Sequence, residues 1–255
     1  MFGTLVVSES PLWPRAIATT GLDFVFIDTE HVALSHSQIA AMCQSYRGFE
    51  LAPIVRIPSP DAYAAAKMLD IGAAGIIAPY IEEPEQVRQL VGAVRYRPLK
   101  GARLQARLNG EKLEPALEEY LAERNDPNIL ILNIESVPAM EALDEILAFS
   151  GVDGVLIGPH DLSCSLGIPE QYENQDFLAS CERIFKTARK HQVGAGIHFM
   201  GDVQQQVRFL EMGANMLIHS ADIVLTAKHL KQDLAAIRKQ VGEDVQLDRG
   251  ELDAI

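Results

Sequence analysis

The sequence has few cysteines and no long apolar run. Its 255 residues include only Cys43, Cys164 and Cys181, which are far apart and show no C-x-x-C spacing. Structural disulfides are therefore not expected, and a reducing cytoplasm fits this usage. No stretch approaches the roughly 18 apolar residues of a membrane span. The first ten residues lack the basic and apolar regions of a signal peptide, so none is expected.

Positive charge is also scarce. The chain has 22 Lys and Arg against 35 Asp and Glu, which gives a formal net charge of -13. A strongly acidic surface repels phosphate backbones, so nucleic acid is not an expected partner. No polybasic segment that would bind a membrane surface is present. A protein of this charge that handles anionic substrates must concentrate positive charge locally, through a metal ion or a well-placed arginine.

Short apolar runs alternate with longer amphipathic stretches along the chain. Near-continuous Val, Ile and Leu are typical of parallel strands buried on both faces. The predicted strands are Thr4–Ser8, Phe24–Asp28, Pro53–Arg56, Gly75–Ala78, Ile129–Ile134, Gly154–Ile157, Gly194–His198 and Asn215–His219. The predicted helices include Ser37–Tyr46, Ala62–Asp70, Glu83–Val94, Val137–Ala148 and Asp176–His191. Eight alternations of strand and helix predict an α/β fold of the closed (β/α)₈ TIM-barrel type.

The competing fold is an open, doubly wound sheet, which would usually carry a Gly-rich turn after its first strand. Here the first strand runs into Ser8-Glu9-Ser10-Pro11, so the barrel is favoured.

We interpret residues 1–255 as one barrel domain with an insertion at about 96–126, which contains a polar helix near Leu113–Glu123. A long insertion at a barrel rim is typical of an active-site loop or a subunit contact. Residues 242–255 are polar and are expected to be loosely ordered.

Acids and bases cluster at the carboxyl ends of the predicted strands, while the strand bodies carry almost none. In TIM barrels the reacting groups lie at these ends. The clusters are Asp28-Thr29-Glu30-His31 after the second strand, Val55-Arg56 at the third, Asn133-Ile134-Glu135 at the fifth and Gly158-Pro159-His160-Asp161 after the sixth. The sequence therefore predicts a polar active site at this end of the barrel.

Glu135 and Asp161 come from neighbouring strands and are candidate metal ligands. Two carboxylates on adjacent loops can share one divalent cation, and oxygen ligation suits Mg²⁺ or Mn²⁺, and also Co²⁺. Each carboxylate alone could instead cap the helix that follows it. The occurrence of both on consecutive strand ends favours the metal.

Arg56 and His31 are the candidate groups for binding and proton transfer. Arg56 ends an apolar strand, where it could form a buried ion pair, hold a carboxylate or stabilise an oxyanion. His31 follows Glu30, and a carboxylate beside an imidazole fixes its tautomer and raises its basicity. His198 and His219 also fall at strand ends, but the spacing of the three histidines does not match a compact zinc motif, so these two are predicted to line the pocket.

Two further absences narrow the chemistry. No Gly-rich phosphate loop follows the seventh or eighth strand, where Gly201 stands alone, and this disfavours a sugar-phosphate isomerase. Lysine is missing from the four clusters at the strand ends, which argues against an aldolase that works through a Schiff base.

Several motifs, in order from about Leu5 to about Leu230, resemble the HpcH/HpaI aldolases. They are Gly21-Leu-Asp-Phe-Val-Phe-Ile-Asp-Thr-Glu-His31, Val55-Arg56, Leu69-Asp70-Ile-Gly72-Ala-Ala-Gly75, Ala93-Val-Arg-Tyr96 with Pro98, Glu135-Ser136, and Gly158-Pro-His-Asp-Leu-Ser163 with Leu166-Gly167. The last is the most specific. The resemblance implies a TIM barrel and a metal-dependent class II aldolase that releases pyruvate and an aldehyde from a 4-hydroxy-2-oxo acid.

The resemblance also implies roles for individual residues. Glu135 and Asp161 would hold Mg²⁺ or Mn²⁺, with Asp161 also next to the substrate. Arg56 would stabilise the enolate, and His31 would act as the base with Asp70 raising its basicity. Asn133 would contact the substrate, and the backbone around His160 would meet its carboxylate. Members of this family are commonly hexamers in which a C-terminal helix exchanges between chains.

The sequence departs from the family pattern at three places. His160 stands where a small residue or Asn is usual, and it could ligate a metal, contact the substrate or narrow the pocket. Asn133 is one methylene shorter than the usual Gln. The stretch from Gly101 to Arg107 lacks a glycine that usually follows Arg103. These departures are expected to affect substrate choice more than the metal and enolate chemistry.

Two other functions stay open. One is a CoA-thioester lyase of the malyl- or citramalyl-CoA type, which would use basic residues at the pocket mouth to bind the CoA phosphates. The only candidates are Arg97, Lys100, Arg103 and Arg107. The other is a barrel that binds a 2-oxo acid without catalysis. A degenerate barrel would be expected to have lost one of the catalytic residue types, and none is missing.

Overall fold

Eight parallel strands close into a barrel in chain order, which confirms the predicted TIM-barrel fold. The computed structural model describes residues 1–242. The strands are β1 (Phe2–Val6), β2 (Phe24–Asp28), β3 (Ala52–Arg56), β4 (Gly75–Ala78), β5 (Ile129–Ile134), β6 (Gly154–Ile157), β7 (Gly194–Phe199) and β8 (Met216–Ala221). Four of them have the predicted bounds, and the other four differ by one or two residues at either end.

Twelve α-helices are described, and most of them surround the barrel. They are α1 (Trp13–Ile17), α2 (His36–Arg47), α3 (Ala62–Asp70), α4 (Pro84–Arg95), α5 (Gly101–Leu108), α6 (Pro115–Asn125), α7 (Val137–Glu141), α8 (Leu143–Ile146), α9 (Pro159–Ser165), α10 (Gln175–Lys190), α11 (Val203–Glu211) and α12 (Asp222–Val241). The predicted helix Val137–Ala148 is divided at Ala142, which has non-helical backbone angles. No helix within residues 1–242 has the length and apolarity of a membrane span.

Alternating side chains of the strands form two separate apolar clusters. One set fills the inside of the barrel and includes Phe24, Phe26, Ile54, Ile131 and Met216. The other set lies between the strands and the helices. Because apolar side chains fill the barrel interior, the polar groups at the strand ends are confined to one end of the molecule.

The insertion at residues 96–126 does not line the active-site end. Helix α4 ends at Arg95, which binds the carbonyl oxygen of Asn128 (2.7 Å) just before β5. The insertion therefore begins and ends at the amino ends of the strands. Its helices α5 and α6 pack on the outer side of α4, with Leu104 and Leu108 against Gly92. The alternative of an active-site loop is wrong for this reason, and a subunit contact stays a prediction.

The last helix, α12, leaves the barrel surface. Asp222 anchors its start, because its buried carboxylate accepts hydrogen bonds from the backbone N–H groups of Val7 (3.2 Å) and Ser8 (3.0 Å). Almost every residue after it is exposed. Residues 243–255, which include most of the segment predicted to be loosely ordered, lie outside the described residues.

Candidate active site

The ends of β2 and β3 are joined by a buried ion pair. Asp28 and Arg56 are register partners on these strands, and Arg56 binds both carboxylate oxygens of Asp28 (2.7 and 2.8 Å). Burial would raise the pKa of Asp28, but the hydrogen bonds and charge of Arg56, with two backbone N–H groups, outweigh it and lower the pKa. The guanidinium also lies over the ring of Phe26 (5.3 Å). Arg56 is thereby held in one orientation at the catalytic end.

Glu30 lies between Arg56 and His31. Its Oε2 is 3.1 Å from Arg56 Nε, and its Oε1 is 3.7 Å from His31 Nε2. The Arg56 Nε–H group points at Asp28, so the contact with Glu30 is an ion pair without a hydrogen bond, and Oε2 has no hydrogen-bond partner among residues 1–242. The His31 side chain is half-exposed. The carboxylate beside the predicted base is therefore Glu30.

Glu135 and Asp161 converge as predicted. A Cβ atom built on Gly158 would lie 3.0 Å from Glu135 Oε2 and 3.6 Å from Asp161 Oδ2, so both oxygens face one small space. Any larger residue at position 158 would enter that space. Glu135 is buried, and its Oε1 accepts a hydrogen bond from the backbone N–H of Tyr80 (2.8 Å).

The site has an excess of negative charge. Burial raises the pKa of Glu135, and the charges of Asp161 and Glu30 raise it further, while the Tyr80 N–H and the Asn133 side chain act in the opposite direction. Asp28, Glu30 and Glu135 act on Arg56, and Asp161 acts on Glu135, so the cluster holds four carboxylates around the Arg56 guanidinium. Such a cluster is stabilised by a cation.

The donor set fits a hard divalent cation such as Mg²⁺ or Mn²⁺, since its ligands would be carboxylate oxygens. Within the described part of the chain, no group of three or more His, Cys, Asp or Glu residues has metal-binding geometry. Glu135 and Asp161 would therefore supply only two ligands, and substrate and water would have to complete the coordination shell.

Asn133 acts on Glu135 in this structure. Its Nδ2 donates a hydrogen bond to Glu135 Oε2 (3.0 Å), and its side chain is buried. The Oδ1 atom is buried and has no hydrogen-bond partner within residues 1–242. Unpaired buried oxygens are costly, so this atom is available to a donor from a ligand or water. The contact of Asn133 with the substrate stays a prediction.

His160 lies beside Asp161, but its side chain faces elsewhere. Nδ1 is 3.6 Å from Glu170 Oε1, and Nε2 is 3.9 Å from the sulfur of Cys164. These contacts give no support to a metal-ligand role for the imidazole. The backbone N–H groups of His160 and Asp161 belong to the first turn of α9, where helical N–H groups have no acceptor within the helix.

Asp70 is not placed beside His31 within one chain. It is the last residue of α3, which runs from the catalytic end to the amino ends of the strands. Its exposed carboxylate binds Arg97 Nη1 (2.8 Å). The prediction that Asp70 raises the basicity of His31 is therefore not met by the geometry of this chain, because a whole helix separates the two side chains.

The other two histidines have structural surroundings. His198 is inside the barrel, edge-on to Phe26 with a ring-centroid distance of 5.5 Å. His219 points to the helix layer, where Nδ1 is 2.8 Å from Gln206 Oε1. Only His198 lies near the site, below Arg56, so the expectation that both line the pocket is wrong for His219.

The basic residues considered for CoA binding lie far from the site. Arg97 binds Asp70, Arg103 pairs with Glu114, and Arg107 Nη2 is 3.6 Å from Glu118 Oε1. All three, together with Lys100 at the start of α5, belong to the 96–126 insertion at the outer side of α4. The three arginines are neutralised by carboxylates there, and none of the four residues borders the mouth of the pocket.

Sequence reasoning missed the roles of two residues. Asp28 was grouped with the acids after β2, but its pairing with Arg56 follows only from the register of β2 against β3. Tyr80 was not considered, because the end of β4 carries no acid or base. The sequence did contain a feature that could have indicated its role, because Tyr80 lies two residues beyond the carboxyl end of a barrel strand.

The chain matches the family model described as HpcH/HpaI aldolase/citrate lyase over residues 2–246. It is 34% identical to a hydroxypyruvate/pyruvate aldolase from Roseovarius nubinhibens over 89% of this chain and 88% of the relative. It is 31% identical to a 2-keto-3-deoxy-L-rhamnonate aldolase from Klebsiella pneumoniae, covering 92% and 88%. A crystal structure of an HpcH/HpaI aldolase from Desulfitobacterium hafniense aligns with a TM-score of 0.81 at 29% identity, covering 98% and 95%.

Proposed function

The chain belongs to the HpcH/HpaI aldolase/citrate lyase family, and on that premise we propose that it is a class II aldolase acting on 4-hydroxy-2-oxo acids of the 2-keto-3-deoxy acid type. The reaction is the reversible cleavage of such an acid to pyruvate and an aldehyde. The enzyme is a carbon–carbon lyase, as its aldolase relatives indicate. We also propose a cytoplasmic location, a proposal supported by the three free thiols of Cys43, Cys164 and Cys181.

One observation supports this proposal above the others: the Glu135 and Asp161 carboxylates converge on one space, in the same cluster as Arg56. The carboxylates suit Mg²⁺ or Mn²⁺, and Co²⁺ is chemically compatible. When bound, the cation would act as a Lewis acid on the 2-oxo acid. Arg56 adds a fixed positive charge near the same position. An acidic protein thereby gains a local site for an anion.

Arg56 stabilises the negative charge that develops on the carbonyl oxygen as the carbon–carbon bond breaks. Its orientation is set by Asp28 before substrate arrives, so little reorganisation is needed during the reaction. Asn133 keeps Glu135 in place and offers to a donor its Oδ1, which has no hydrogen-bond partner within residues 1–242. The N–H groups of His160 and Asp161, which as first-turn groups have no acceptor inside their own helix, receive the substrate carboxylate.

His31 takes the proton from the C4 hydroxyl in the cleavage direction. Glu30 lies 3.7 Å from His31 Nε2 and stabilises the imidazolium that forms. The half-exposed position of His31 suits a base that acts at the mouth of the site, where the aldehyde leaves. Glu30 therefore has the role that the family resemblance implied for Asp70, which is to raise the basicity of His31.

The two alternatives receive less support. A CoA-thioester lyase needs a basic patch near the mouth, and Arg97, Arg103 and Arg107 are paired with acids at the opposite end. A non-catalytic barrel would have no need for both a preorganised arginine and converging carboxylates. Neither alternative is favoured by a feature of the site.

The experiment that tests the function is solvent deuterium exchange into the methyl group of pyruvate, followed by NMR. It requires no knowledge of the aldehyde. We expect exchange that needs Mg²⁺ or Mn²⁺ and that is lost in Glu135→Gln, while Glu141→Gln, which changes an exposed glutamate, retains it. Exchange by the wild type without any metal would contradict the proposed metal dependence. Folded protein without exchange under any metal would contradict the aldolase.

We further propose that α12 mediates assembly, with the family's hexamer as the expected state. Its apolar residues recur at alternating spacings of four and three, at Ile223, Ala227, Leu230, Leu234, Ile237 and Val241. All six are exposed in the single chain. Such a stripe on a 20-residue helix is typical of a helix that packs against a partner. The partner that fits is a second copy of this chain.

A further inference from the structure

Tyr80 occupies an unusual backbone conformation at the mouth of the site. Its φ is 54°, in the left-handed region that residues with side chains rarely adopt. Two hydrogen bonds hold it there: its N–H donates to Glu135 Oε1 (2.8 Å), and its carbonyl accepts from Gln86 Nε2 (3.0 Å). A strained residue persists only where its surroundings fix it, and such residues concentrate at functional sites.

The phenol of Tyr80 borders the carboxylate cluster. Its pKa is raised to about 12, chiefly by the interaction of the hydroxyl with the Glu30 carboxylate, with smaller contributions from slight burial and from the charges of Glu135 and Asp161. Even so, the residue is 55% exposed. Tyr80 therefore borders both the buried carboxylates and the solvent.

Glu30 is bracketed by two accessible side chains. His31 faces Oε1 at 3.7 Å. The Tyr80 hydroxyl interacts with the same carboxylate strongly enough to raise the pKa of the phenol. Under the proposed function, the pyruvate half lies at the buried end with Glu135 and Arg56. The aldehyde half must then lie toward solvent, in the space that His31 and Tyr80 border.

We propose that Tyr80 is the residue that selects the aldehyde, and that its hydroxyl binds a hydroxyl group on the carbon next to the aldehyde carbonyl. The inference rests on the proposed aldolase function. The Tyr80 hydroxyl has one hydrogen to donate and an oxygen that can accept, so it can serve Glu30 and a substrate hydroxyl together. A short polar aldehyde satisfies this group, whereas an apolar aldehyde leaves that position without a partner.

The experiment compares two aldehydes that share a carbon skeleton and differ by this hydroxyl, glycolaldehyde and acetaldehyde. Each is condensed with pyruvate by the wild type, Tyr80→Phe and the control Tyr63→Phe, which alters an exposed tyrosine on α3. Deuterium exchange into pyruvate alone is measured in parallel, because it reports the half-reaction without aldehyde.

In Tyr80→Phe we expect the ratio of kcat/KM for glycolaldehyde to kcat/KM for acetaldehyde to fall about tenfold, the effect of one lost hydrogen bond. The ratio is the readout because a change at Glu30 acts on both aldehydes alike, and Tyr63→Phe should keep the wild-type ratio. A ratio in Tyr80→Phe equal to that of the wild type, whether both activities fall or neither does, would overturn the role of Tyr80. If the wild type shows neither exchange nor aldol product, the proposed function fails and this inference fails with it.

Discussion

Asp28 and Arg56 form a two-point ion pair across neighbouring strand ends, with side chains only 1% and 12% exposed. Replacement of Asp28 by Asn leaves the buried guanidinium with weaker acceptors. We expect the free energy of unfolding to fall by about 3 kcal/mol, the lower end for a broken buried pair, because Glu30 still faces Arg56. Urea unfolding at pH 7 measures this.

The matched control is Glu85→Gln, which removes a pair with Arg88 at the protein surface and should leave the urea midpoint near that of the wild type. The pKa of Asp28 is lowered in the folded state, so its stabilisation is present above the unfolded pKa and is lost as the pH falls through the folded value. The difference between wild type and Asp28→Asn should therefore shrink in strong acid. A difference that grows in acid would contradict the ion pair.

Metal binding should be measurable without turnover. Mn²⁺ that binds only the folded state raises the melting temperature, in proportion to the logarithm of its concentration once the site is saturated. We expect such a rise in the wild type, its reversal by EDTA, and its absence in Glu135→Gln. Glu141→Gln should behave as the wild type. A rise that persists in Glu135→Gln would remove this residue from the ligand set.

His198 should make the protein sensitive to mild acid. Burial, together with the charge of Arg56, lowers its pKa to about 4, although the Ser220 carbonyl accepts a hydrogen bond from the ring. An unfolded histidine titrates near 6.5, so the unfolded state binds the proton first and stability is lost as the pH falls from about 6.5 toward 4. At pH 4.5 the loss from this group should be about 3 kcal/mol relative to pH 7.5.

Urea unfolding at several pH values tests this expectation in His198→Gln, whose stability should depend less on pH in that range than the wild type's. His36→Gln, which alters an exposed histidine at the start of α2, should keep the wild-type dependence. Identical pH profiles for the wild type and His198→Gln would show that the buried imidazole does not control acid stability.

Assembly through α12 should depend on its apolar stripe. Leu234→Glu places a charge in the middle of the stripe, and burying an unpaired charge is costly. We expect the oligomer to shift to smaller species in light scattering, while Lys231→Glu, a charge change on the same helix outside the stripe, causes a much smaller shift. A monomeric wild type would contradict the assembly, and unchanged size in Leu234→Glu would exclude the stripe as its interface.

The barrel and most of its strand ends could be predicted from the sequence because parallel strands are buried on both faces. That burial produces apolar runs such as Ile129–Ile134, which have clear limits. The division of the helix Val137–Ala148 was not predicted, because the break at Ala142 depends on local backbone angles that the apolar pattern does not reveal. The convergence of Glu135 and Asp161 was predictable because neighbouring parallel strands end side by side.

Side-chain direction was the part that sequence could not provide. His160 and Asp161 are consecutive, yet the imidazole faces Glu170 while the carboxylate faces Glu135. Asp70 illustrates a different limit: its motif suggests a role with His31, but the polarity of α3 carries it to the other end of the barrel. Tyr80 was missed because its importance lies in a backbone angle and in contacts with residues far away in the sequence.

The outer hairpin of α5 and α6 is closed at its base, where Asn125 Nδ2 donates to the carbonyl oxygen of Arg97 (2.8 Å). Residues 97 and 125, at the two ends of the hairpin, are therefore adjacent. Lengthening such a segment costs little closure entropy, so the barrel tolerates changes in its size. Residues between 101 and 124 thus offer an insertion point for a reporter or an affinity module, remote from the catalytic end and tethered to the enzyme at both ends.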